Sequence, residues 1–154
     1  MTTEAAGDEV NLTAPYVLKY SYKRTLGPIL SQFFTGLRDG KIMGAKLQDG
    51  RVMVPPAEYD PDTGDDVEGL VEVSETGVVT SWSWVEKPRQ VHPLDKPFAW
   101  ALIKLDGADT SMLHALDVSD SNTLETGMRV KARWKAERVG YMTDIECFEP
   151  EGES

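Results

Sequence analysis

Between Gly44 and Asp66 the chain reads GAKLQDGRVMVPPAEYDPDTGDD, two turns with room for one short strand between them. Gln48-Asp49-Gly50 carries the Asp-Gly signal of a tight turn, where glycine supplies a positive φ. Arg51-Val52-Met53-Val54 follows as the strand. Pro55-Pro56 ends it, because neither ring nitrogen can donate to a ladder and the first proline pushes Val54 toward extended geometry. Asp60-Pro61-Asp62-Thr63-Gly64 makes the second turn. A knuckle this small buries almost nothing on its own, so it needs a metal, a disulfide or a partner to hold it. The single cysteine, Cys147, excludes an internal disulfide and a multi-cysteine zinc site.

Downstream the pattern changes to strands. Leu70–Thr76 and Val78–Val85 meet at Gly77, as a hairpin or as one long strand bent at a glycine bulge. Phe98–Leu105, Ser111–Val118, Met128–Arg138 and Tyr141–Phe148 follow, with a loop over Ser119–Gly127. In Met128–Lys135 the residues Met128, Val130, Ala132 and Trp134 alternate with Arg129, Lys131, Arg133 and Lys135, giving one apolar and one basic face. Closely spaced strands without intervening helices, the first of them long, predict a closed five-stranded antiparallel barrel of the OB type. Trp100 and Trp134 are expected to pack in its core, while Trp82 and Trp84 sit on a strand that is half apolar on both sides.

Upstream, residues 1–13 are small, polar and acidic and are expected to be disordered. Tyr16, Leu18, Tyr20 and Tyr22 recur with period two, the pattern of an extended arm laid on a surface. Gly27-Pro28 opens a helix in which Ile29, Phe33, Phe34 and Leu37 recur at helical spacing, and Gly40 closes it. Adjacent phenylalanines give the helix more than one apolar face, one for the protein's own sheet and one for a partner. Charge is segregated along this half. Lys19, Lys23, Arg24, Arg38, Lys41, Lys46 and Arg51 stand against only Asp39 and Asp49 between residues 11 and 57, whereas Val52–Glu86 contains no Lys or Arg. The positive arm is suited to an anionic ligand or partner surface.

A net charge of −10 argues against nucleic acid, which calls for a basic footprint. No apolar run approaches the roughly 20 residues of a membrane span, and Met1–Asn11 lacks the pattern of a signal peptide, so a cytoplasmic location is expected. Catalytic constellations are scarce. His92 lies in a proline-rich loop and His114 within a strand, and Cys147 reads as a buried, inert thiol. Asp60-x-Asp62-x-Gly64 departs from a calcium loop in its glycine position and lacks the closing Glu.

The helix ending in FFTGLRDGKIMG, the turn glycine, the Pro-Pro strand, the second turn and the strand run together resemble the rubredoxin-like zinc ribbon plus OB-fold family, over roughly Pro28 to Pro150. The resemblance implies an α+β, mainly β chain: residues 14–43 as basic arm and helix, 44–66 as a degenerate metal-free ribbon, and 67–150 as a five-stranded OB-fold barrel. Zinc cysteines of that family would fall on Lys46, Asp49, Asp60 and Thr63, none of which is Cys, so no zinc and no other cofactor is expected. Members of the family accompany thiolase-like enzymes. The chain would then be a non-catalytic partner of a thiolase, a sterol side-chain aldolase or an acyltransferase, binding a thiolase-like or lipid-transfer-protein-type subunit in a complex that takes acyl-CoA. Lys23, Arg24, Phe33, Phe34, Arg38, Lys41, Pro55, Pro56 and Tyr59 would form the docking and CoA-phosphate surface. A stand-alone OB module for a small anionic ligand and a small acid/base enzyme are the alternatives.

Overall fold

The computed structural model describes residues 11–152; the acidic start of the expected disordered tail lies outside them. One α-helix, α1 (Pro28–Arg38), precedes a run of strands: β1 (Ile42–Lys46), β2 (Val52–Met53), β3 (Gly69–Val73), β4 (Thr76–Val85), β5 (Phe98–Leu105), β6 (Met112–Leu116), β7 (Arg129–Trp134) and β8 (Ile145–Pro150). Strands β4-β5-β6-β8-β7 close a five-stranded barrel. It is antiparallel except where β6 meets β8 in parallel at Leu116 and Phe148. The long first strand is present, with its register shift between Val79 and Ser81 and not at Gly77. Gly77 instead lies so close to the Lys104 carbonyl of β5 that a Cβ would collide with it.

β3 is the main departure from the expected boundaries. It does not enter the barrel but pairs antiparallel with β1, from Ile42 opposite Val73 to Lys46 opposite Gly69, in a sheet of order β2-β1-β3. The knuckle is therefore the loop-bearing end of a small three-stranded sheet. Its extra strand uses part of the segregated charge, since Lys41 and Lys46 at the two ends of β1 pair with Glu72 and Glu68 at 3.6 and 3.3 Å. The chain leaves α1 through a glycine-ended C-cap in which Gly40 N–H donates to Leu37 O and Lys41 N–H to Gly36 O, with Gly40 at φ 75°.

One core joins the parts. Phe33 and Leu37 of α1, Ile42 of β1 and Val54 beyond β2 are buried in the same cluster as Val79, Ile103, Val130, Ile145 and Phe148 of the barrel. Backbone and side-chain hydrogen bonds fix this junction. Val52 N–H donates to Asp109 Oδ2 at 2.8 Å and Asp109 N–H returns a bond to Val52 O at 2.8 Å. The Thr110 hydroxyl both accepts from Val54 N–H and donates to Val54 O, each at 2.8 Å. Asp109 and Thr110 lie between β5 and β6, so the knuckle strand is tied to a barrel hairpin. A smaller cluster of Phe98, Ala115 and Cys147 lies under the 86–97 loop, with Trp100 half-buried against it. Trp134 is also half-buried and gives its indole N–H to Glu75 Oε2 at 2.8 Å.

Two buried polar groups complete the frame. Burial alone would raise the Asp144 carboxyl, but N–H groups of Val139, Gly140 and Tyr141 outweigh it and hold it below the usual carboxylate range. Burial pushes the His114 imidazole down, against opposing bonds to Met142 and Ala115. A base depressed in the folded state stabilises it fully only above its unfolded value near 6.5, and a depressed carboxyl only above about 3.9. The urea midpoint is therefore expected to decline first as pH falls below about 6.5 and more steeply below about 4. His114→Gln should remove the first phase and Asp144→Asn should shrink the second; unchanged profiles in both variants would contradict this. Because α1 shares the barrel core, Phe33→Ala is expected to destabilise the whole chain by about 3–5 kcal/mol. Tryptophan fluorescence of the barrel during urea unfolding reads the loss, and an unshifted midpoint would mean that α1 is a separate unit.

Candidate partner interface

In the knuckle, the positions where zinc ligands would stand are all engaged otherwise. Lys46 pairs with Glu68. Asp49 accepts from both the backbone N–H and the Nε of Arg51, at 2.9 and 2.6 Å. These contacts, the backbone one foremost, hold its carboxyl below the ordinary value. Asp60, which is buried, accepts from Asp62 N–H at 2.8 Å, and Thr63 Oγ accepts from Asp65 N–H at 3.2 Å. This set of one ammonium, one hydroxyl and two hydrogen-bonded carboxylates does not fit a structural zinc site, which takes four Cys or His donors. Among the described residues no group of three or more His, Cys, Asp or Glu is placed to hold a metal.

Arg51 spans the gap instead. Its guanidinium reaches Asp49 in the first turn and Asp62 in the second, the latter at 3.0 Å. One cation thus links the two turns that two pairs of cysteines would link through a metal. A second tie was not foreseen from the sequence. The free N–H groups of Ile29 and Leu30 at the start of α1 donate to the Glu58 carboxylate at 3.2 and 3.0 Å. Glu58 satisfies orphan donors of the helix and places a negative charge at its positive end.

The expected docking residues are distributed unevenly. Phe33 is 1% exposed and belongs to the core, so it offers a partner no surface; its ring meets Phe34 edge-on at 5.4 Å between centroids. Phe34 is half-buried against the same core. Pro56 is buried as well, leaving Pro55 exposed. Tyr59 exposes 59% of its surface. It stands at a recess of about 320 Å³ with Pro28, Ile29 and Val67. Arg38 pairs with Asp39 at 3.5 Å and Lys41 with Glu72, both at exposed positions. Lys41, Met43 and Leu70 share a second shallow recess of about 360 Å³ along the side of α1.

Lys23 and Arg24 lie on the arm that precedes α1. Residues 11–27 form no regular secondary structure and are exposed apart from the half-buried Gly27. Leu12, Tyr16, Val17, Leu18, Tyr20 and Tyr22 each expose between 62% and 91% of their surface, and Leu26 exposes 43%. Among the described residues Lys19, Lys23 and Arg24 take part in no ion pair, and no acidic residue occurs between positions 11 and 38. The basic face of β7 is different. Arg129 is held by Asp106 and Glu151, Lys131 by Glu149, and Arg133 by Asp117, Glu146 and Glu149. Those charges serve the barrel wall and leave no row of free cations for a phosphate backbone. Of the catalytic candidates, His114 and Cys147 are buried, and burial pushes the thiol up to about 11. His92 packs its ring on Phe98 and accepts from Arg89 N–H at 3.0 Å.

Residues 70–135 match the family model described as ChsH2, C-terminal OB-fold domain. Among solved structures the chain is similar to a protein of unknown function from the DUF35 family of Sulfolobus solfataricus, with 27% identity and a TM-score of 0.56 over 70% of this chain and 77% of that one. It also shares the fold of a chain of the Ltp2-ChsH2(DUF35) aldolase, at 21% identity and a TM-score of 0.60, over 83% of this chain and 98% of that one. Curated relatives include the glutamine–tRNA ligase of Bordetella bronchiseptica, 37% identical over an alignment 117 residues long that covers 69% of this chain. The chain spans 19% of the length of that ligase. The barrel is thus an OB fold matching the ChsH2 C-terminal domain, in a chain whose architecture is similar to that of DUF35 proteins.

Proposed function

We propose that the chain is a non-catalytic partner subunit of a thiolase-fold enzyme that handles acyl-CoA. The observation that carries this reading is the arm, where a run of large apolar side chains with Lys19, Lys23 and Arg24 interspersed stands in water without a partner. Isolated exposed apolar residues are ordinary, but a contiguous run of them rimmed by charge marks an interaction site. The arm leads directly into α1, beside the recess at Tyr59. Likeness in fold to a chain of an aldolase complex supports the same reading. The arm would order on the partner, its tyrosines burying rings and its cations meeting an acidic surface or the phosphates of CoA. The knuckle would support docking without zinc, held by its junction with the barrel core and, in smaller part, by its own charges.

Co-expression of the full chain with a thiolase-fold enzyme from the same source, followed by size-exclusion chromatography, tests this. A stable complex is expected for the wild type and none for a chain lacking residues 11–26. Lys23→Glu with Arg24→Glu should weaken the complex several-fold and flatten its salt dependence, exposed charge pairs being worth about 0.2–1 kcal/mol each. Metal analysis of the pure chain is expected to give far less than one zinc per molecule. An undiminished complex without the arm, or stoichiometric zinc, would overturn the respective claim.

A further inference from the structure

The barrel wall is thinnest between β6 and β8, which share the single register pair of Leu116 with Phe148. On the His114 side of that pair the strands part, and the short turn Met142–Asp144 stands across the gap with Met142 O 3.3 Å from His114 Nε2. Outside it lies a cavity of about 270 Å³, lined chiefly by Trp100, Leu113, His114, Lys135, Met142 and Ile145. Small-molecule sites run from about 300 Å³ upward, so this one has room for a one- or two-ring body but not for a nucleotide cofactor.

Two polar groups at this cavity are conspicuous for what they lack. Trp84 and Trp134 each give their indole N–H to a carboxylate, Glu86 and Glu75. Trp100 makes no such bond among the described residues, and its nitrogen is not among buried unsatisfied atoms, so it remains open to a ligand or water. Lys135 continues the basic row of β7, yet it is the member with no ion pair among the described residues. Glu146 in the cavity lining is taken by Arg133 Nε at 2.7 Å, and Asp144, the carboxylate that feels the Lys135 charge, is already bound by the N–H groups of Val139, Gly140 and Tyr141. An apolar floor, a soft thioether and an indole face are thus set beside one exposed cation that forms no ion pair among the described residues.

We propose that this seam cavity binds a compact apolar carboxylate, with its ring or short branched chain against Trp100, Leu113 and Met142 and its carboxylate at the Lys135 ammonium. The site is separate from the arm and does not depend on a partner chain. A cation at the exposed rim of an apolar floor, paired with an anion, favours the acid over the corresponding neutral alcohol.

Titration of 2-naphthoate into the full-length chain, followed by tryptophan fluorescence and by NMR of ¹³C-labelled methionine methyls, tests the assignment. Saturable binding with a shift of the Met142 methyl is expected, while Met43 and Met53, outside the cavity, stay fixed. Leu113→Arg, at a position already more than half exposed, should abolish binding without unfolding the barrel. Lys135→Gln should weaken 2-naphthoate at least fivefold and leave 2-naphthalenemethanol unchanged. Deletion of residues 11–26 should change nothing. The assignment fails if the wild type shows no saturation, if shifts appear at Met43 or Met53 instead of Met142, or if either point variant binds 2-naphthoate as well as the wild type.

Discussion

The four hydrogen bonds that tie Val52 and Val54 to Asp109 and Thr110 are the joint on which this molecule depends. Each is worth about 0.5–1.5 kcal/mol net, but their geometric effect is larger than their energy. They lay the knuckle strand against a barrel hairpin and so bring Val54 into the core. Once Val54 is there, β1 must run alongside β2, and α1 must cover the remaining apolar gap with Phe33 and Leu37. The direction in which the arm leaves the molecule follows from the position of α1.

This joint also accounts for how so small a knuckle is held in place. In a zinc ribbon the turns are held to one another through the ion. Here they are held partly to one another, by Arg51 between Asp49 and Asp62, and partly to the barrel, by burial of Val54 and by Glu58 at the start of α1. The ion pairs are exposed, so their share is small. Shared core burial carries the rest. Several cations of the sequence are likewise spent on structure, in the β1–β3 pairs and the β7 network. Lys19, Lys23 and Arg24 on the arm and Lys135 at the seam form no ion pair among the described residues and sit beside exposed or cavity-lining apolar side chains.

Periodicity made the barrel legible. The alternation in β7 and the spacing of β5, β6 and β8 identify five strands, because each has one face in a core and period two records that directly. The turns at Asp49-Gly50 and around Asp62 were legible for the same local reason. The assignment of Gly69–Val73 was not. A strand of a small side sheet and the leading end of a long barrel strand carry the same pattern, and only the pairing with β1 separates them. Tertiary context also decided Phe33 against Phe34, since adjacent positions on a helix carry no label for which face meets the core. The seam cavity left no sequence signal, because Trp100, Leu113, Lys135 and Met142 come from four separate segments. Glu58 could have been suspected from the acidic residue following Pro-Pro, but nothing local says that it caps a helix nearly thirty residues earlier.

Hydrogen exchange at individual amides measures the central claim most directly, that knuckle, helix and barrel are one cooperative unit without a metal. The Val52 and Val54 amides, which bond to Asp109 and Thr110, should exchange only through global unfolding in the presence of a chelator, with the same opening free energy as the Ile103 and Val130 amides of the barrel core. Exchange of Val52 and Val54 through a local opening orders of magnitude more frequent than that of the barrel amides would contradict it.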